Sequence, residues 1–335
     1  MFFKGVTFGF FARNGYYSSP EACIEVDRIA ELSIPWVCLV VSVVQDKYSS
    51  TRQFRDFQYT PGDDELLDII DYCHKKGLKV MLRPMIDCLD GSQRGDINFP
   101  EDREVYPGRP RTYWKDWFDS YINLTKHYTR IAARTGCESY GLDSELVHTV
   151  SKNEHWLRVI DTARQGYKGH LTSSVTWAHI YLKDIQENRN HWFFALDSLG
   201  ESIYLKAADK GGASADEMTD YIKAEKKNIK AFTNCYGKPF YFGEVGCCST
   251  TGAAQRPSYW NHGGTYDGTE QANYMKAIIA GFGHEPWWHG FFWWKWDEHN
   301  DRPQFREDPE GDKGFIIYGK PAAEIMRQWC SEDKK

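Results

Sequence analysis

Apolar positions along the chain fall into two alternating patterns. Short apolar runs rich in Val, Phe, Tyr and Trp occur at 5–11 (GVTFGFF), 36–44 (WVCLVVSVV), 78–85 (LKVMLRPM), 138–145 (ESYGLDSE), 170–177 (HLTSSVTW), 198–204 (SLGESIY), 239–246 (PFYFGEVG) and 290–296 (GFFWWKW). Their length and composition predict strands. Segments with apolar residues three and four apart lie between them at 20–32, 63–76, 112–134, 153–165, 179–190, 215–235 and 270–282, with a last one at 321–330. These predict amphipathic helices, several with first-turn chemistry such as Ser19 before Pro20. Strand and helix types alternating eight times predict an α/β fold of parallel strands with helical crossovers, a (β/α)8 TIM barrel. No linker rich in Pro, Gly or Ser divides the 335 residues, so 1–335 is expected to be one catalytic domain. Long loops after the third strand (86–111), the seventh (246–269) and the eighth (297–319) fall on the C-terminal face, where such barrels build their sites.

Composition narrows the class of ligand. The net charge is −6, and Lys and Arg are scattered rather than gathered into a stripe, so a nucleic-acid partner is not expected. No run of about 18 apolar residues is present, and no membrane partner is expected. Aromatic residues make up 16% of the chain. Their faces complement the C–H faces of sugar rings, which brings carbohydrate forward as a ligand. Nine cysteines fall in no paired spacing, and six of them, Cys23, Cys38, Cys73, Cys88, Cys137 and Cys235, lie in apolar or helical contexts where a thiol behaves as a small hydrophobe, which mildly favours a reducing compartment. The start, MFFKGVTFGFF, enters a strand directly, and the expectation is a cytoplasmic protein, or a secreted one whose signal segment has been removed.

Two glutamates end strands on the C-terminal face: Glu145 after the fourth and Glu244 after the seventh. Each alone could be a salt-bridge partner. Strands four and seven lie across the barrel, however, and paired carboxylates facing one cleft are what glycoside cleavage requires. One must hold a proton for the departing oxygen, and the other must stay ionised. Other chemistries are weaker. Asp297 and His299 in WDEHN lack metal-ligand spacing, so a solvated loop is expected there, and neither a metal nor a cofactor is expected. Adjacent Cys247 and Cys248 fit packing under a loop, NLT at 123–125 falls within a helix, and no phosphate-cradling glycine loop occurs.

The order of LRPMID (82–87), RGDI (94–97), SEL (144–146), ARQGYKGHLTSSVTW (163–177), FFALDSLGESIY (193–204), KPFYFGEVG (238–246) and GFFWWKW (290–296) resembles the retaining glycosidases of clan A. Within that clan the chain is similar to glycoside hydrolase family 113, a family of β-mannanases. The resemblance implies Glu145 as acid/base, Glu244 as nucleophile and Tyr204 as the donor that keeps the nucleophile ionised. It also implies sugar walls at Trp177, Trp294 and Trp296, and contacts to substrate hydroxyls from Arg83 and Arg94. Trp293, Trp294 and Trp296 lie on one strand, so at least one must point away from the cleft.

Ser144 stands where clan members commonly carry an Asn that contacts the sugar 2-hydroxyl. Arg83-Pro84-Met85 replaces a Lys-Pro-His type of signature, and Thr176 replaces a frequent Asn. A short Ser144 beside a forked Arg83 donor suits an axial 2-hydroxyl. The resulting expectation is a retaining endo-acting β-1,4-mannanase, a monomer acting on mannan or manno-oligosaccharides. A related β-glycosidase on another linkage, and a barrel that binds sugar without cutting it, are the alternatives. The binder is the less favoured, since it would be expected to have lost a glutamate or Tyr204. A phosphate-handling barrel would need a Gly-rich anion site after strands seven and eight, which the Trp-rich eighth strand argues against.

Overall fold

A computed structural model describes residues 1–260, 263–300 and 311–332. Eight parallel strands close on themselves: β1 (Phe3–Phe8), β2 (Trp36–Gln45), β3 (Lys79–Cys88), β6 (Ser139–Ser144), β7 (His170–Thr176), β8 (Ser198–Ser202), β9 (Phe240–Val245) and β10 (Trp288–Trp296). The last pairs with the first, Phe3 opposite Gly290. Helices cover the outside: α1 (Pro20–Glu31), α2 (Asp63–Lys75), α3 (Tyr113–Thr135), α4 (Asn153–Gly166), α5 (Leu182–Glu187), α6 (Ala215–Tyr236), α7 (Gly268–Phe282) and α8 (Pro321–Ser331). The fold is the expected (β/α)8 barrel.

Local chemistry accounts for the helix ends. Ser19 Oγ accepts the Ala22 N–H at 3.3 Å and opens α1 ahead of Pro20. Ser214 and Glu217 form a reciprocal capping box on α6. Gly136 and Gly237 close α3 and α6 in the left-handed conformation.

Three expectations change in detail. The loop after the third strand carries an exposed antiparallel hairpin, β4 (Arg103–Tyr106) with β5 (Arg109–Arg111). The single helix expected over 179–190 is a short 3-10 turn, Ala178–Tyr181, followed by α5. The first strand stops at Phe8, which leaves Phe10 and Phe11 in the loop at the barrel mouth. Residues 301–310 of the loop after β10 lie outside the described residues.

The barrel interior is layered. Phe3, Trp36, Cys38, Met81, Tyr241 and Phe292 form an apolar cluster separate from the large core between sheet and helices. Polar side chains follow toward the C-terminal end: Thr172 donates to the Tyr241 hydroxyl at 3.1 Å, and Arg83 reaches from Met81 Sδ (3.4 Å) to the carbonyl of Gly243 (3.3 Å). This buried polar layer is the floor on which the site rests.

Candidate active site

Glu244 sits inside β9 and is only 3% exposed. The two glycines of YFGEVG fit it there. A Cβ on Gly243 would lie 2.3 Å from Ser174 Oγ, and one on Gly246 would lie 2.4 Å from the Trp294 carbonyl oxygen, so larger residues would push β9 off its neighbours. Ser144 Oγ donates to Glu244 Oε1 at 2.7 Å, and the Tyr204 hydroxyl to Oε2 at 3.4 Å. Burial and the charge of Glu145 push the Glu244 carboxyl up. The Arg83 guanidinium below, the Ser144 hydroxyl and Arg94 oppose that rise. Tyr204 is held well above the usual phenol range by burial and by Glu244, so it stays a donor.

Glu145 reaches the same cleft differently. β6 ends at Ser144, and the Glu145 N–H extends the pairing by one bond to the Ser174 carbonyl (3.0 Å). Glu145 then takes a left-handed backbone with φ of 60°, an uncommon conformation for a residue with a Cβ, and the chain turns into a 3-10 segment at Val147–Thr149. The turn leaves the side chain 30% exposed at the mouth. Arg94 Nη1 lies 3.4 Å from Glu145 Oε2, while its Nε donates to the Ile86 carbonyl at 2.8 Å.

Both glutamates line one cleft of about 640 Å³, with Trp177, Tyr204, Trp294 and Arg94. That volume is typical of small-molecule sites, roughly 300–1,000 Å³. Two carboxylates in one cleft, with flat rings on the walls, suit acid–base and nucleophilic chemistry on a sugar.

The sequence profile of Glycoside Hydrolase Family 113 matches residues 6–320. The chain belongs to Glycoside Hydrolase Family 113. It is a glycoside hydrolase with the (β/α)8 fold of that family. A solved GH113 β-1,4-mannanase in complex is similar at 29% identity and TM-score 0.82, covering 99% of both chains. A GH113 β-mannanase from Alicyclobacillus acidocaldarius, in complex with ManMIm, is similar at 29% identity and TM-score 0.81, over 98% of this chain and 97% of that one. A family 5 mannosidase from Rhizomucor miehei, at 11% identity and TM-score 0.60 over 98% of this chain and 92% of that one, shares the fold. No curated protein sequence matches the chain. Among the described residues no helix is long and apolar enough to cross a membrane.

The family frame separates the anticipated residues by where they sit in this GH113 chain. Glu145, Glu244, Tyr204, Arg94, Trp177 and Trp294 converge on the cleft. Arg83 does not: it is fully buried beneath Glu244, with no surface to offer a hydroxyl. Its place is electrostatic, since its charge also draws down the Asp143 carboxyl that burial lifts to about 7. Trp296 is buried too, with its Nε1 donating to Glu25 Oε2 at 2.8 Å. The reason is a bulge: Val6 pairs with Trp293 and Phe8 with Trp296, so β10 carries one residue more than β1, and alternation breaks. Trp294 and Lys295 then both line the cleft. Ser144 is bonded to Glu244, which takes its hydroxyl proton away from a sugar.

Several lining residues were not anticipated. Phe10 and Phe11 follow β1, Trp260 stands 75% exposed beyond β9, and Lys295 is anchored on Glu298 Oε2 at 2.7 Å. Strand-end position on the C-terminal face would have found Phe10 and Lys295. Trp260, on a loop without periodicity, gave no signal. The turn at 297–299, expected as a solvated loop, is largely buried: Asp297 Oδ1 accepts the His299 N–H at 2.8 Å, and Glu298 Oε1 that of Phe11 at 2.9 Å. Among the described residues no cluster could hold a metal.

Proposed function

We propose that this GH113 enzyme cleaves β-1,4-mannosidic bonds in mannan or manno-oligosaccharides by double displacement, with residues 1–335 acting as one catalytic domain. The observation that carries the mechanism is the pair of carboxylates in one cleft, one buried and held by two hydroxyl donors, the other about a third open to solvent. In the first step a Glu244 carboxylate oxygen attacks the anomeric carbon as its bond to the leaving oxygen breaks. Glu145 gives that oxygen its proton. In the second step Glu145, now a carboxylate, takes a proton from water whose oxygen attacks the same carbon and frees Glu244. Net retention follows from two inversions.

The roles of the neighbours follow from their bonds. Ser144 and Tyr204 orient Glu244 and favour its anion. Arg94 meets the anion that Glu145 becomes when its proton is given up. Trp177 and Trp294 offer faces to the sugar rings. Mannose as the sugar is supported by the two similar GH113 mannanases, at 29% identity. The test is a parallel assay on β-1,4-manno-, β-1,4-gluco- and β-1,3-linked oligosaccharides of equal length, with product stereochemistry read by NMR. Retained β-product from the manno series alone is the expected result. Cleavage confined to the gluco series would overturn the sugar assignment and leave the two-glutamate mechanism standing.

A further inference from the structure

Glu201 takes no part in the displacement, yet it is fully buried on β8 opposite Val175 of β7. Its Oε1 accepts the Ala178 N–H at 3.0 Å, and its Oε2 has no hydrogen-bond partner among the described residues. Ala178 is the residue after Trp177, the ring that stands 45% exposed on the cleft wall. Trp177 itself is held left-handed, φ 53° and ψ 55°, and its carbonyl accepts the Ile180 N–H at 3.0 Å to close the turn. Two more buried polar atoms without partners among the described residues, Thr176 Oγ1 and His179 Nδ1, flank the same turn. A left-handed tryptophan costs free energy unless its surroundings over-determine it. Here the Ala178 bond to Glu201 adds a constraint from outside the turn to the one that the Ile180 N–H makes within it.

An apolar residue there would leave the buried Ala178 N–H without its acceptor, so the carboxyl is what satisfies the turn. Burial holds the Glu201 proton on up to about 8, and no charged group contributes to that rise. Near neutral pH the group is therefore a carboxylic acid, and glutamine is its close mimic.

We propose that Glu201 is a positioning residue: by holding the Ala178 N–H it fixes the turn that presents Trp177 to the sugar, and so sets substrate affinity without touching substrate. This rests on the reading of Trp177 as a sugar wall. The experiment is a double-mutant cycle on a manno-oligosaccharide, measuring KM and kcat for Glu201→Leu, Glu201→Gln, Trp177→Ala and Glu201→Leu/Trp177→Ala. Trp177→Ala is expected to raise KM by about 2- to 10-fold, the range of one aromatic face. Glu201→Leu should raise KM within the same range with kcat kept, Glu201→Gln should restore it, and the double variant should match Trp177→Ala alone.

An unchanged KM in Trp177→Ala sinks the wall reading itself. An effect of Trp177→Ala with none from Glu201→Leu, or equal effects of Glu201→Leu with and without Trp177, overturns the role of Glu201 and spares the wall. A fall in kcat that glutamine does not restore also overturns it. If the leucine variant does not fold, Glu201→Asp, which retracts the carboxyl by one methylene, replaces it in the same cycle with the same outcomes.

Discussion

The ends of β6 and β9 each deliver one glutamate to the same cleft, in opposite ways. At β9 the carboxylate is part of the strand, buried, flanked by glycines that let it pack closely, and bonded by two neutral hydroxyls. At β6 it lies one residue past the strand, on a left-handed turn, partly exposed, and met by an arginine. On the mechanism proposed above, the same side chain is thereby given two jobs. A nucleophile needs a fixed position, which a strand supplies. A proton shuttle must serve a leaving group and then a water, and a mouth position with solvent access suits it.

The sharpest way to break this comparison is to remove each glutamate. Glu244→Ala should lose more than about 10⁴-fold in kcat, beyond the span of acid–base assistance alone. Azide should restore turnover and give an inverted glycosyl azide, since it fits the vacated space. Substantial activity without azide would show that β9 does not supply the nucleophile. Glu145→Ala should lose about 10²- to 10⁴-fold on oligosaccharides and far less on aryl glycosides with good leaving groups, which need no proton. Equal losses on both substrates would move Glu145 out of the proton-transfer role.

How much of this was legible in the sequence follows the same contrast. Short apolar runs and period-3.6 patterns marked all eight strands and the placement of both glutamates, because strands buried on both faces and helices buried on one write themselves into the residue order. Depth along a barrel does not. Arg83 lies in the interior polar layer, yet whether it meets ligand or lies below depends on how far along the axis it sits, and only the structure places it under Glu244. Trp296 was assigned to the wrong side because parity counts every residue, and the bulge in β10 adds one. Phe11 and Trp260 lie on loops whose course is set by distant contacts, such as the bond from the Phe11 N–H to Glu298, 287 residues away.

Ser144 crosses the comparison, since it ends β6 and serves the carboxylate of β9. Its hydroxyl draws the raised Glu244 carboxyl down. Ser144→Ala therefore raises that carboxyl further, and more of the enzyme holds Glu244 protonated at a given low pH. The acid limb of kcat/KM should move to higher pH by about one unit, the worth of one hydrogen bond to a charged group. An unmoved limb with a raised KM would instead return Ser144 to sugar binding.

The smallest effect is expected where the interaction is formally strongest. Arg94 and Glu145 lie 3.4 Å apart and make a charged pair once Glu145 has given up its proton, whereas Ser144 and Glu244 share a single hydroxyl bond at 2.7 Å. Charge would rank the pair first, but the Glu145 side chain is 30% exposed and water competes for it. Such pairs contribute about 0.2–1 kcal/mol. Arg94→Met removes the guanidinium that lies over the Phe10 ring along with the pair, and the pair itself should account for at most about fivefold in kcat/KM. Salt separates the two cases further. Added salt should shrink the difference between wild type and Arg94→Met, because ions reach the Glu145 end of the pair. It should leave the Ser144→Ala shift in place, because ions do not enter the buried floor. A salt-insensitive loss well above tenfold in Arg94→Met would mean that the mouth of β6 closes over substrate and becomes as dry as the end of β9.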